Sequence, residues 1–105
     1  IIELLKDMKA EDIVILKVDH LTSVTNYFII CSADNSTLLQ MIVHNLEKEM
    51  RSKGIKLLYP LKEKSPEWTV IDFSDIIIHV FMPEERKKYA LEDFWSQAPK
   101  TVIDY

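Results

Sequence analysis

Two carboxylates and one imidazole stand close together in the stretch SPEWTVIDFSDIIIHVFMPEER, residues 65–86. They belong to Asp72, Asp75 and His79. Side chains of these types act as general acids and bases or as ligands of a metal ion. Trp68 opens the first of the two apolar runs that hold them. The stretch could therefore form a catalytic or metal site, or it could consist of ordinary strands.

The two apolar runs, residues 68–73 and 76–82, predict a β-hairpin with Ser74 and Asp75 as its two-residue loop. Side chains directly opposite each other on paired strands share a face of the sheet. One face is then almost pure hydrocarbon and must be buried; it consists of Thr69, Ile71, Phe73, Ile76, Ile78 and Val80. The other face, called here the mixed face, consists of Trp68, Val70, Asp72, Ile77, His79 and Phe81.

The mixed face has three interpretations. As part of a core, it would leave Asp72 and His79 in need of hydrogen-bond partners. As a catalytic site, it would need a nucleophile or a cluster of metal ligands nearby. As a docking surface, it would expose aromatic side chains beside polar groups, which is the composition of interface hot spots. Strand parity separates Asp75 from the other two and makes it a turn former rather than half of a metal pair.

Other patterns that carry chemistry are missing from the sequence. Gly54 is the only glycine, so there is no glycine-rich phosphate loop. Neither GxSxG nor HExxH occurs. The single cysteine, Cys31, excludes an intrachain disulfide and a CxxC metal site, and its apolar surroundings predict a packed core thiol, with a reactive thiol as the alternative. No cofactor and no metal are predicted.

Size and composition indicate one globular domain over residues 1–105, with 48% hydrophobic and 29% charged residues. No apolar run approaches the roughly 18 residues that span a bilayer, so no membrane contact is expected. The net charge of −4 and the scattered basic residues make nucleic acid an unpromising main partner. The acidic N-terminal segment is unlike a signal or transit peptide, and a longer N-terminus is left open.

The order of predicted elements is α-β-β-α-β-β-β-α. Residues 1–10 end a first helix, and residues 12–18 and 27–32 are nearly continuously apolar strands of central type. A long helix capped by Asn35 or Ser36 ends before Gly54. Residues 55–59 are predicted as the third strand, ahead of the hairpin. Pro83 opens a last helix that packs through Tyr89, Leu91, Phe94 and Trp95, and residues 96–105 form a tail. These elements predict an α/β fold with a mixed, about five-stranded sheet flanked by helices.

Several stretches together resemble the ribosomal silencing factors, also called the Iojap family. They are AEDIVILKV, LTSVTNYFIICSA, EWTVIDFSDIIIHVFMPEERKKYALEDFW and the closing AP. The third block is the most specific, because its tryptophan, acidic strand end, HVF strand, PExR and final tryptophan come in the family's order. The resemblance covers roughly residues 4–100. Three positions depart from the usual pattern: Asn26 stands in place of Asp, and Ala33 and Ser74 each stand in place of Gly.

The resemblance implies a nucleotidyltransferase-like fold without the catalytic motifs, and a protein that is not an enzyme. It implies a translation repressor that binds the large ribosomal subunit through the ribosomal protein numbered fourteen and sterically blocks joining of the small subunit. Trp68 matches a tryptophan implicated in that contact. The other docking residues are assigned from the mixed face and its flanks: Val70, Asp72, His79, Phe81, Glu67 and Arg86.

Three alternatives stay open at this point. The chain could be a large-subunit assembly factor of an organelle, a divergent nucleotidyltransferase, or a dimerisation module. The expected compartment is the bacterial cytoplasm, with the mitochondrial or plastid matrix as the alternative. A homodimer of the free protein is also left open.

Overall fold

A mixed sheet forms the centre of the fold. In the structure, a computed structural model that describes residues 1–58 and 67–103, the sheet has five strands: β1 (Glu11–Lys17), β2 (Tyr27–Ser32), β3 (Trp68–Asp72), β4 (Ile76–Phe81) and β5 (Lys100–Val102). Their order across the sheet is β3-β4-β2-β1-β5. Strands β2 and β4 are parallel, and the other pairs are antiparallel. The predicted mixed five-stranded sheet is confirmed.

Four helices accompany the sheet in the described residues: α1 (Ile2–Asp7), α2 (Ser36–Ser52), α3 (Pro83–Tyr89) and α4 (Leu91–Phe94). Helix α2 begins as predicted, because the Asn35 side chain accepts a hydrogen bond from the Leu38 backbone N–H at 2.8 Å. Gly54 follows the helix with φ +80°, the left-handed conformation that glycine adopts without strain. The apolar face of α2 is buried through Leu39, Ile42, Val43, Leu46 and Met50.

The alternation of side chains along the strands divides the interior into two clusters, one on each face of the sheet. Helices α1 and α2 cover the first cluster, to which the hydrocarbon face of the hairpin contributes Ile71, Phe73, Ile78 and Val80. The second cluster contains Phe28, Ile77 and Phe81, with Leu91 and Trp95 packed against it from the segment that follows β4. The mixed face of the hairpin therefore belongs to the second cluster.

The hairpin has the predicted register. Ile71 lies opposite Ile78 and Thr69 lies opposite Val80, and the Phe73 N–H donates to the Ile76 carbonyl at 2.9 Å. Ser74 turns the chain with φ +78°. An L-residue in this region is strained because its Cβ crowds the backbone, so a glycine at this position would relieve the strain.

Ser74→Gly is expected to raise the free energy of unfolding by about 1 kcal/mol, since relief of the left-handed strain exceeds the greater flexibility that glycine gives the unfolded chain. Urea denaturation measures this difference. Ser23→Gly is the matched control, because Ser23 is also exposed in a loop and is not among the residues with positive φ. The control should be neutral or destabilising. An equal effect of both substitutions would contradict the strain at Ser74.

The predicted strand at residues 55–59 is wrong for its described part, and Tyr59 lies outside the described residues. Residues 55–58 form no strand, and Ile55 and Leu58 are exposed. The Leu58 N–H donates to the Asp72 carbonyl at 2.8 Å, but this is one bond rather than a ladder. Strand β3, to which Leu58 bonds, is an end strand of the sheet, so an available neighbour is not sufficient. Periodicity alone does not show whether a short apolar run pairs along such an edge.

The C-terminal region also differs from the prediction. The observed order of elements is α-β-β-α-β-β-α-α-β. The predicted last helix is divided at Ala90, whose left-handed backbone (φ +47°) ends α3 and precedes α4. The predicted tail contains β5, which pairs antiparallel with β1. Strand β5 is short and exposed, so its sequence carries little alternation, and the free edge of β1 determines its conformation.

Candidate protein-docking surface

Aromatic rings form a continuous series across the second cluster. Tyr89 contacts Trp68 with ring centroids 4.7 Å apart, and Trp68 stacks on Phe81 at 4.8 Å. Phe28 contacts Trp95 at 5.2 Å, and Trp95 contacts Phe94 at 5.5 Å. His79 lies between the two halves, 6.0 Å from Trp68 and 5.3 Å from Phe28.

Four of these rings reach the surface and are called here the aromatic surface: Trp68, Tyr89, Phe94 and Trp95. Phe94 is 79% exposed and Tyr89 is 49% exposed, whereas the two tryptophans are half-buried. The prediction that Phe94 and Tyr89 pack inward is therefore wrong. The reason is the break at Ala90, which changes the direction of the chain and removes the single helical face that the spacing implied. Half-buried tryptophan and exposed aromatic rings together are typical of binding hot spots.

His79 and Phe81, both predicted to contact a partner, lie beneath Trp68 rather than beside it. Phe81 is fully buried and His79 is 7% exposed. The indole N–H of Trp68 donates to His79 Nδ1 at 3.2 Å, while Nε2 has no hydrogen-bond partner among the described residues. In this conformation neither side chain can contact a partner directly, because the rings of the aromatic surface cover them.

Burial lowers the pKa of the His79 imidazole to about 4, from an ordinary value of 6.5, because desolvation disfavours the charged ring. Between these two values the unfolded chain binds a proton that the folded protein does not bind. The free energy of unfolding therefore carries no penalty from His79 above pH 6.5. It decreases as the pH falls from 6.5 towards 4, because only the unfolded chain is protonated there.

Acidification from pH 7 to pH 4 is expected to lower the free energy of unfolding by up to about 3 kcal/mol through His79 alone. Urea denaturation at half-unit pH steps measures this loss, and His79→Phe should flatten the curve over the same interval. A wild-type protein whose stability does not change between pH 6.5 and 4.5, or a variant with an unchanged slope, would contradict this prediction.

Arg86 ties α3 to the sheet. Its side chain is only 13% exposed; Nε donates to Glu92 at 2.6 Å, and Nη1 donates to the Asp12 carbonyl at 2.7 Å and to Ser32 Oγ at 2.8 Å. Lys100 adds a longer ion pair to Glu92, at 3.7 Å. The guanidinium thus joins α3, α4, β1 and β2, and the structure places it in an internal network. Its predicted contact with a partner stays a prediction.

The remaining predicted docking residues lie around Trp68. Val70 and Asp72 are partly exposed on the same face of β3, and Glu67 precedes the strand, where its carbonyl accepts the Met82 N–H at 2.8 Å. The Asp72 carboxylate accepts the Ser74 N–H at 2.8 Å, so it shapes the hairpin turn. The structure therefore brings Trp68, Val70 and Asp72 together near the surface. The binding role of each stays a prediction.

The geometry offers little for catalysis within residues 1–58 and 67–103. No three His, Cys, Asp or Glu side chains in these ranges form a group that could hold a metal ion. The Cys31 thiol is buried, and burial raises its pKa to about 12, so it is the packed thiol that the sequence predicts. No helix in the same ranges has the length and apolar character of a membrane span.

A family model described as "Ribosomal silencing factor during starvation" matches residues 1–105. The chain belongs to the ribosomal silencing factor family. Ribosomal silencing factor RsfS of Halalkalibacterium halodurans is 32% identical over 98 residues, which cover 93% of this chain and 84% of that protein. The chloroplastic protein Iojap of Zea mays is 32% identical over 99 residues, or 94% of this chain and 43% of the maize protein.

Solved structures agree with this assignment. The crystal structure of a protein from Chromobacterium violaceum superposes with a TM-score of 0.85 at 25% identity, covering 99% of this chain and 87% of that chain. The resemblance to ribosomal silencing factors that the sequence motifs indicate is therefore confirmed. The likeness to nucleotidyltransferases stays a prediction.

Proposed function

We propose that this protein represses translation by occupying the large ribosomal subunit. It binds through the ribosomal protein numbered fourteen, and its bulk blocks joining of the small subunit. The mechanism requires no catalysis, only a surface that fits the partner and a volume that clashes with the small subunit.

One observation supports this function most directly: a ribosomal silencing factor carries a half-buried tryptophan within a series of aromatic rings that reaches the surface. Trp68 packs against Phe81 and Tyr89, so the plane of its ring is held before a partner arrives. A rigid, partly desolvated aromatic ring loses little entropy on binding and contributes a large contact area. The net charge of −4 suits a basic ribosomal protein.

Two measurements test the proposal. The purified protein should co-sediment with isolated large subunits, and it should lower the light scattering that reports subunit joining. Large subunits depleted of the ribosomal protein numbered fourteen are the control for the partner. Failure of the wild type to co-sediment refutes the function, whereas equal binding to depleted subunits refutes only the identity of the partner.

The enzymatic alternative has a test of its own. A divergent nucleotidyltransferase would transfer nucleotide in a metal-dependent reaction that Asp72→Ala abolishes. Asp72 is engaged with the Ser74 N–H, which gives it a structural task in the turn. Metal-dependent nucleotide transfer by the wild type that is absent in Asp72→Ala would overturn the non-enzymatic proposal.

The compartment and the free oligomeric state belong to the same proposal. We place the protein in the bacterial cytoplasm. The 32% identity to a chloroplastic relative supports the organelle matrix as the alternative, where a role in assembly of the large subunit would apply. A homodimer in the absence of ribosomes would give a concentration-dependent sedimentation coefficient, and a constant monomer value would refute it.

A further inference from the structure

The buried imidazole of His79 has a hydrogen-bonding pattern that packing alone does not explain. It lies on β4 opposite Val70, stacks on Phe81 with an interplanar angle of 13°, and meets Phe28 edge to face. Apart from Trp68, the rings that it contacts in the described part of the chain are both phenylalanines. A phenylalanine in its place would suit this environment better, because a buried polar atom without a partner destabilises the fold.

The protonation of the ring follows from its contacts. His79 is neutral near pH 7, since burial disfavours the charged form. Nδ1 accepts the Trp68 indole N–H and therefore carries no proton itself. The single ring proton of the neutral imidazole then resides on Nε2. Nε2 has no partner within the described ranges, so the only hydrogen bond that this side chain makes there is the one to Trp68.

The Trp68 ring needs such a bond. Stacking on Phe81 and contact with Tyr89 hold the plane of the indole, but a turn of roughly 180° about the two-fold χ2 torsion keeps that plane and exchanges the N–H edge of the ring for the opposite edge. A directional N–H to Nδ1 bond removes this freedom. It therefore fixes which edge of the indole lies at the surface.

We propose that His79 is a positioning residue of the docking surface: its neutral Nδ1 holds the Trp68 indole in the one orientation that the ribosomal partner meets. This inference rests on the proposed function, in which Trp68 anchors the contact. His79 itself touches no partner. It improves binding by ordering Trp68 beforehand.

Within residues 1–58 and 67–103, no charged group bonds the Trp68 indole in place of the imidazole. Asp72 lies on the same face of β3, and its carboxylate accepts the Ser74 N–H. From α3, Tyr89 contacts the Trp68 ring, and the Lys88 ammonium lies over the Tyr89 ring, 5.7 Å from its centroid. From β2, the ring against His79 is Phe28. Protonation of Nδ1 would convert the acceptor into a donor and release the indole.

Two substitutions separate positioning from packing. His79→Phe keeps an aromatic ring and loses the acceptor, so the protein should be at least as stable as the wild type but should bind large subunits about five- to tenfold more weakly. His79→Asn places an oxygen near the position of Nδ1 and leaves a cavity, so the protein should be less stable but bind within about threefold of the wild type. If His79 had only a structural role, the more stable of the two variants would instead bind large subunits more tightly.

Spectra of ¹⁵N-labelled protein test the mechanism without ribosomes. The two tryptophans, Trp68 and Trp95, give two indole N–H signals. The Trp68 indole proton should exchange slowly in the wild type and in His79→Asn and rapidly in His79→Phe. Histidine ¹⁵N shifts should identify the Nε2–H tautomer of His79 at pH 7.

The outcomes are distinguishable from failure of the proposed function. If the wild type does not bind large subunits, the function falls, while the exchange and tautomer results still decide whether His79 orders Trp68. An Nδ1–H tautomer, rapid exchange in the wild type, or unchanged binding by His79→Phe overturns the positioning role. In a Trp68→Phe background, where no indole N–H exists, His79→Phe should cause no further loss of binding.

Discussion

Trp68→Ala is expected to weaken binding to the large ribosomal subunit by about 30-fold or more, which corresponds to loss of a hot spot worth at least about 2 kcal/mol. The indole is half-buried and rests on Phe81 and Tyr89 at 4.8 and 4.7 Å between ring centroids. Truncation removes both the contact area of the indole and the support that it gives to the Tyr89 ring. Co-sedimentation over a series of subunit concentrations measures the loss.

The same substitution also removes packing over His79 and Phe81, so a second variant is needed. Tyr89→Ala truncates a ring that is 49% exposed on the same surface and should weaken binding severalfold with little effect on folding. Met41→Ala is the matched control, because Met41 is 52% exposed on α2, which packs on the opposite face of the sheet. If Trp68→Ala is folded and binds like the control, the site assignment fails and the function stands.

Arg86→Ala is expected to lower the free energy of unfolding by about 2–3 kcal/mol, because it leaves the Glu92 carboxylate, the Asp12 carbonyl and the Ser32 hydroxyl without their shared donor. Arg86→Lys should recover less than half of this loss. An ammonium is a point charge and cannot direct separate N–H bonds at three acceptors as a planar guanidinium does.

Urea denaturation monitored by circular dichroism measures both variants. Lys87→Ala is the control, since Lys87 is the exposed neighbour of Arg86 on α3 and should change stability by less than about 0.5 kcal/mol. Near-ultraviolet circular dichroism should also change in Arg86→Ala, because α3 and α4 carry Tyr89 and lead into Trp95. Equal stability of Arg86→Ala and Lys87→Ala would show that the network contributes nothing.

Local patterns in the sequence were sufficient for the elements whose partners are close in the chain. The spacing of Leu39, Ile42 and Leu46 predicts the buried face of α2, and Asn35 and Gly54 mark its ends. The parity of the hairpin assigns Trp68, His79 and Phe81 to one face of the sheet, because a two-residue loop fixes the register. The family motifs identify the kind of protein.

Contacts between segments distant in the chain determine which side chains are buried and which short runs pair as strands. Parity places His79 and Trp68 on one face but cannot show which of them is covered. That depends on Tyr89, at the end of α3, and on Trp95, beyond the break at Ala90, both reaching this face. Residues 55–58 have the composition of a strand but make one described bond to the end strand β3 rather than a ladder, whereas residues 100–102 form a strand by pairing with β1. Arg86 reads as a surface charge until folding brings Asp12 and Ser32 within 3 Å of its guanidinium. Burial and pairing are properties of long-range contacts, so only the tertiary structure separates Trp68 at the surface from the imidazole beneath it.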